Sequence, residues 1–131
     1  MRVNQILETC LYVSDLEAAK EFYTSVLGLK VYSRFENRYL FFRCGNQMLL
    51  LFNPDETSKK TRDVPTHGSK GPGHLAFQIE ESEISTWRDH LVRNNVEIET
   101  EVDWPKGSHS IYFRDPGGNC LELASVGLWT D

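Results

Sequence analysis

The sequence has few cysteines and no long hydrophobic run. Its three cysteines, Cys10, Cys44 and Cys120, have no CxxC spacing, and an odd number cannot form a closed disulfide framework. We therefore expect reduced thiols. No apolar stretch approaches the roughly 20 residues that a membrane-spanning helix needs, and the N-terminal residues lack a signal-peptide core. These absences predict a cytoplasmic protein with no membrane partner.

Positive charge is also scarce. The chain has 14 Lys and Arg against 19 Asp and Glu, and its formal net charge is -5. Because the basic residues are scattered, nucleic acid and anionic membranes are not expected as partners. The 40% hydrophobic content is enough for the core of one domain of 131 residues. The composition predicts a globular domain that binds a small molecule.

A strand-helix-strand pattern occurs twice, first in ILETCLYVSDLEAAKEFYTSVLGLKV. Alternating apolar residues from Leu7 to Val13 predict a strand, and the apolar stripe that follows predicts a helix ending at Gly28. Ser14 or Asp15 is the predicted N-cap, and Ser14 with Glu17 fits a capping box. The second copy is HLAFQIEESEISTWRDHLVRNNVEI, in which a strand around Val96 to Ile98 follows the helix.

The stretches that follow also match, since YLFFRCGNQMLLLF resembles SIYFRDPGGNCLELA. Gly45-Asn46 and Gly118-Asn119 are predicted hairpin turns. Each half is then a βαβββ module, about residues 1–53 and about residues 73–131 of a single domain, 1–131. The polar segment 54–72 is predicted to be a linker or lid loop. The predicted fold is α+β: the two modules form a curved mixed sheet with helices on one face.

Residue alternation predicts which side chains lie on the sheet face away from the helices. These are Glu8 and Cys10 on the first strand, His74 and Gln78 on the fifth, and Glu122 on the last. Glu8 and His74 occupy equivalent positions of the repeat. One imidazole and two carboxylates with open positions would suit one divalent ion of Mn, Fe, Ni, Co or Zn. A lone His or Glu in a strand is usually structural, but three on one concave face favour a metal site.

The same alternation selects further site residues. Ser110 and Tyr112 are expected near Glu122, while Cys10 and Gln78 flank the other ligands. Tyr112 is the predicted catalytic acid or hydrogen-bond donor, with a wall aromatic as the alternative. Ser110, Cys10 and Gln78 are candidate substrate contacts, although small thiols such as Cys10 often only pack. Of the remaining histidines, His90 is predicted to lie on a helix. His67 and His109 are predicted to lie in loops from which they could reach a substrate.

Three stretches resemble the vicinal oxygen chelate superfamily, which includes glyoxalase I, bleomycin- and fosfomycin-resistance proteins and extradiol dioxygenases. They are LYVSDLEAAKEFYTSVLGLKV, GPGHLAFQI and YFRDPGGNCLELA. The resemblance covers nearly the whole chain and implies the glyoxalase/dioxygenase fold, usually assembled as a homodimer. Exposed sheet edges on an isolated pair of modules would also favour a dimer. By position, the resemblance implies that Glu8, His74 and Glu122 are the first-, fifth- and eighth-strand metal ligands.

The sequence departs from the family pattern at two positions. Glu8 stands where many members have His or Gln. The fourth ligand of glyoxalase I, a carboxylate that also acts as base, falls at Leu49 or Leu50, neither of which can bind a metal. The resemblance thus implies a metal-dependent lyase, isomerase or thiol transferase with three protein ligands, acting on a small oxygen-chelating substrate. An extradiol-type dioxygenase and a non-catalytic antibiotic-binding protein are the alternatives.

Overall fold

The strands form two four-stranded sheets, one in each half of the chain. The computed structural model describes residues 1–61, 63–125 and 127–130. The chain divides into two units, Met1–Gly71 and Pro72–Asp131. The predicted pair of βαβββ modules is confirmed, with two sheets in place of one, because every strand finds its partners within its own module. In the described ranges, no helix has the length and apolar character needed to cross a membrane.

Within residues 1–61 and 63–71, the first module contains four strands, one long helix and one helical turn. Its elements are β1 (Glu8–Tyr12), α1 (Leu16–Ser25), β2 (Lys30–Phe35), β3 (Tyr39–Cys44), β4 (Gln47–Phe52) and α2 (Pro54–Thr57). The sheet order is β1-β4-β3-β2, with β1 parallel to β4 and the other pairs antiparallel. The β3–β4 hairpin turns at Gly45-Asn46 as predicted, with Gly45 at a φ of 57° that glycine adopts readily.

The second module repeats this arrangement. Its elements are β5 (His74–Ile79), a 3₁₀ turn (Glu81–Glu83), α3 (Ile84–Arg93), β6 (Ile98–Asp103), β7 (His109–Arg114) and β8 (Cys120–Ser125). The order is β5-β8-β7-β6, again with one parallel pair, β5 and β8. The second strand of the repeat begins at Ile98, later than predicted, because the chain first turns through Asn95 in the left-handed conformation with φ 59°.

Helix α1 begins at Leu16, directly after Asp15, and buries one apolar stripe. The Asp15 carboxylate accepts a hydrogen bond from the Ala18 amide at 3.0 Å, so Asp15 is the N-cap and the predicted capping box of Ser14 with Glu17 is wrong. Glu17 instead forms an ion pair with Arg34 of β2. The buried stripe consists of Leu16, Ala19, Tyr23, Val26 and Leu27. It places α1 against β2 and β3.

The segment predicted to be a linker or lid includes the helical turn α2. Asn53 caps this turn by accepting a hydrogen bond from the Asp55 amide at 3.1 Å, and Pro54 occupies its first turn. Further along, the His67 amide donates to the Thr57 carbonyl at 3.1 Å, and the His67 ring lies 2.7 Å from the Tyr12 hydroxyl. The segment is thereby attached to the sheet of its own module.

An ionic network joins α3 to β6 and β7 in the second module. Arg88 donates to both carboxylate oxygens of Glu101, with Nη2 2.7 Å from Oε1. The His109 ring lies 2.7 Å from Glu101 and 2.7 Å from Asp103. His109 is the first residue of β7, paired across the hairpin with Asp103, so its predicted loop position is wrong. Its ring is held by two carboxylates in this network.

The network changes the acidity of its members. The hydrogen bond from Arg88 is the main cause that lowers the pKa of Glu101 to about 2. The hydrogen bond with Glu101 is the main cause that raises the pKa of His109 above its usual value, and Asp103 adds to it. Protonated His109 therefore stabilises the folded chain.

This arrangement predicts how stability depends on pH. A raised folded-state pKa gives His109 a stabilising effect that is complete below its unfolded pKa of about 6.5 and is lost as the pH rises through the folded pKa. His109→Gln is expected to cost about 1 kcal/mol of unfolding free energy at pH 5.5, with a smaller cost above pH 8. Urea unfolding at a series of pH values measures the difference. His90→Gln on α3 is the matched control, and an equal cost of His109→Gln at all pH values would contradict the prediction.

Candidate functional site

The central strand β8 collects the predicted side chains of the second module on one sheet face. Register pairs His74 with Cys120, Ala76 with Glu122, and Tyr112 also with Glu122. Side chains of paired residues share a face, so the predicted alternation of β5, β7 and β8 holds. The His74 side chain is 52% exposed, whereas the Glu122 side chain is only 6% exposed. An open imidazole thus lies beside a buried carboxylate.

The hydrogen bonds of His74 determine which ring nitrogen faces Glu122. Nδ1 lies 2.9 Å from the Cys120 carbonyl, which can only accept, so Nδ1 carries a proton and donates it. Nε2 lies 3.2 Å from Oε1 of Glu122. In the neutral ring Nε2 carries a lone pair, and it faces a carboxylate oxygen. The lone pair of Nε2 and the carboxylate oxygen thus converge on one point, where a bound cation would interact favourably with both.

A turn between β7 and β8, in which the Asp115 and Asn119 side chains are buried, positions His74. The Asp115 carboxylate accepts hydrogen bonds from the Gly117 and Asn119 amides, both at 2.9 Å, as expected of a turn cap. The Asn119 side chain donates to Asp115 at 2.9 Å and accepts from the Gly73 amide at 2.7 Å. Gly118-Asn119 lies, as predicted, in the connection of the β7–β8 hairpin, which spans residues 115–119. Asn119 ties the residue before His74 to the start of β8, a role that alternation could not reveal.

Two hydroxyl groups lie next to Glu122 on β7, as predicted. Ser110 is fully buried and donates to Oε2 of Glu122 at 2.5 Å. The Tyr112 ring lies nearly parallel to the His74 ring, with centroids 6.2 Å apart. Burial is the main cause that raises the pKa of the Tyr112 phenol, and the charge of Glu122 adds to it. Tyr112 therefore keeps its proton at neutral pH and can donate it.

The other predicted residues are distributed between the two modules. Glu8 and Cys10 are exposed on β1, opposite Met48 and Leu50 of β4. Of the two predicted positions of a fourth ligand, Leu49 and Leu50, Leu50 therefore shares the face of Cys10. Gln78 is exposed on β5. Across residues 1–61, 63–125 and 127–130, no three His, Cys, Asp or Glu side chains are grouped so that they could hold a metal ion.

The pair of His74 and Glu122 nevertheless suits a divalent ion. Two donors that share one ion at about 2.1 Å lie about 3 Å apart, close to the separation of Nε2 and Oε1. Metal-binding histidines usually donate their second ring N–H to a carbonyl or carboxylate, as His74 does to Cys120. One imidazole and one buried carboxylate form part of a nitrogen and oxygen donor set typical of Mn, Fe, Ni, Co and Zn.

The fold and the site together define an α+β protein of two βαβββ modules with a His-Glu pair on an open sheet face. Residues 2–123 match the family model described as the Glyoxalase/Bleomycin resistance protein/Dioxygenase superfamily. The chain belongs to this superfamily, as the resemblance of its motifs implied.

Individual relatives support the assignment. A protein of Staphylococcus saprophyticus named metallothiol transferase FosB is 33% identical over 113 residues, covering 85% of this chain and 70% of that protein. A FosB of Shouchella clausii is 31% identical, covering 92% of this chain and 80% of that protein. A crystal structure described as lactoylglutathione lyase from Agrobacterium tumefaciens is 38% identical, with a TM-score of 0.94 over 100% of both chains.

Proposed function

We propose that the protein is a divalent-metal-dependent enzyme of the thiol transferase, lyase or isomerase type that acts on a small substrate with adjacent oxygens. Glu8, His74 and Glu122 are its proposed metal ligands. The observation that carries the proposal is the approach of His74 Nε2 to Glu122 Oε1 at 3.2 Å, with the second nitrogen and the second oxygen already hydrogen-bonded. Those bonds leave Nε2 and Oε1 directed at each other.

Among these reaction types we favour thiol transfer. A lyase of the glyoxalase I type needs a base at the fourth ligand position, and Leu50 there has no atom that can accept a proton. Relatives at 33% and 31% identity are named metallothiol transferases. The similarity to a structure described as lactoylglutathione lyase supports an enzyme that handles thiol adducts. The proposed co-substrate is therefore a small thiol.

The residues of the site have distinct proposed roles in this reaction. A bound divalent ion would supply Lewis acidity toward the adjacent oxygens of the substrate. In thiol transfer, the thiol loses its proton to solvent, its sulfur forms a bond to a substrate carbon, a carbon–oxygen bond breaks, and the oxygen takes a proton from a donor that solvent then reprotonates. Tyr112 retains its phenolic proton beside Glu122 and can donate it to that oxygen. Gln78 and Cys10 remain proposed substrate contacts.

Metal analysis followed by a substrate screen tests the proposal. Protein purified without chelators is expected to retain close to one divalent ion per chain. With Mn²⁺ or Zn²⁺ added, turnover is then measured as thiol consumption with fosfomycin, as loss of the adduct with methylglyoxal-thiol adducts, and as oxygen consumption with catechols. Turnover with the first class would support thiol transfer, and turnover of the second or third would identify a lyase or a dioxygenase instead. Binding of an antibiotic without metal or turnover would contradict the proposal.

A further inference from the structure

A chain of hydrogen bonds leads from an indole ring to the buried carboxylate. Nε1 of Trp104 lies 2.8 Å from the Ser110 hydroxyl, which lies 2.5 Å from Oε2 of Glu122. Trp104 is the first residue of the connection between β6 and β7. Its carbonyl accepts from the Gly107 amide at 3.0 Å, in a turn with Pro105 at the second position, and this turn folds the indole back toward β7.

The chemistry of the three groups determines which of them donates in each hydrogen bond. An indole nitrogen can only donate, so the Ser110 oxygen accepts from Trp104. The Ser110 hydroxyl then donates its proton to Oε2 of Glu122, at a separation of 2.5 Å. Ser110 is fully buried and already makes both bonds. Because Ser110 is buried and bound to Glu122, it is better placed to hold that carboxylate than to contact a substrate, the role predicted from the sequence.

We propose that Trp104 and Ser110 are positioning residues, which hold Oε2 of Glu122 so that Oε1 is presented to a metal ion beside His74. This inference rests on the proposed function. These two proposed metal ligands are held in the same way, each by one hydrogen bond to its second polar atom. The Cys120 carbonyl fixes one nitrogen of His74, and Ser110 fixes one oxygen of Glu122, which leaves Nε2 and Oε1 facing each other. Loss of such outer partners typically weakens metal binding about 10–100-fold.

Metal titration of variants tests the proposal. Ser110→Ala and Trp104→Phe are expected to weaken Mn²⁺ and Zn²⁺ binding by about 10–100-fold, measured by calorimetry on metal-free protein. Ser110→Thr, which keeps a hydroxyl, should restore most of the affinity. Trp87→Phe, at a tryptophan on α3, is the matched control and should bind like the parent. Parent-like affinity of both Ser110→Ala and Trp104→Phe would overturn the proposal.

A second readout needs no metal. The Trp104 indole N–H resonance is followed by ¹H–¹⁵N NMR in a Trp87→Phe, Trp129→Phe background, which leaves Trp104 as the sole tryptophan of the three in the sequence. Ser110→Ala should move this resonance upfield, and Glu122→Gln should move it by a smaller amount through Ser110. An indole resonance unchanged by Ser110→Ala would overturn the hydrogen-bond chain. Failure of the parent to bind either ion would instead contradict the proposed function. The NMR result would still test the hydrogen bonds from Trp104 through Ser110 to Glu122.

Discussion

Glu122→Gln and His74→Ala are each expected to weaken divalent-metal binding by at least about 100-fold and to abolish turnover. The loss should exceed the 10–100-fold effect of removing an outer partner, because each change removes a proposed ligand atom. Glutamine keeps the volume of Glu122, and its carbonyl can still accept from Ser110. Its amide N–H can donate to His74, so the fold should persist while metal binding fails. Calorimetric titration with Mn²⁺ and Zn²⁺ measures the affinity.

Two matched variants control this experiment. Glu99→Gln alters an exposed carboxylate of β6 that pairs with Arg114, and His90→Gln alters a histidine on α3. Both should bind metal like the parent. Undiminished metal binding by both Glu122→Gln and His74→Ala would refute the proposed site.

Glu8 requires a separate experiment, because it belongs to the first module. Glu8→Gln is expected to weaken metal binding as well. Homodimerisation is proposed with the site, and sedimentation at micromolar concentration measures it. If Glu8 is supplied across the dimer, mixing Glu8→Gln protein with His74→Ala protein restores one intact site per mixed dimer. If Glu8 is supplied within one chain, mixing restores none.

Asn119→Ala is expected to lower the unfolding free energy by about 2–4 kcal/mol. The side chain is 1% exposed, and its loss removes the acceptor of the half-buried Gly73 amide and one of the hydrogen bonds to Asp115, which keeps those from the Gly117 and Asn119 amides. An unpaired buried polar group costs about 1–3 kcal/mol. Because Gly73 precedes His74, metal affinity should fall together with stability. Urea unfolding and metal titration measure the two effects.

The internal repeat supplies the control for this prediction. Asn46 occupies the corresponding Gly-Asn sequence in the first module, where it is exposed in a hairpin turn. Asn46→Ala should change stability by less than about 0.5 kcal/mol. Equal effects of the two substitutions would show that Asn119 acts only as a turn residue.

Alternation along strands was sufficient to predict much of the site. The side-chain period of a strand is two, so His74, Ser110, Tyr112 and Glu122 could be placed on one face once the strands were recognised. The βαβββ repeat was readable because α1 and α3 each carry an apolar stripe with a stop signal. The position of Glu8 relative to a metal stays a prediction.

Other features depend on contacts that no sequence period encodes. Trp104 reaches Ser110 only because a turn reverses the chain, and Asn119 reaches Gly73 because the neighbouring strands β5 and β8 begin side by side. Helix α2 has four residues, too few to show a period. The choice of Asp15 over Ser14 as N-cap depends on backbone angles that both residues could adopt.

The parallel pairing of β5 with β8 also bears on how the second module folds. His74 and Cys120 are 46 residues apart in the chain, whereas β6, β7 and β8 follow one another through short turns. Closing the long loop costs more chain entropy than forming the hairpins, so β5 is expected to dock last. His74 and Glu122 then meet only in the final step of folding. Metal binding would accordingly report the completed native state, and partly folded chains would carry no ion.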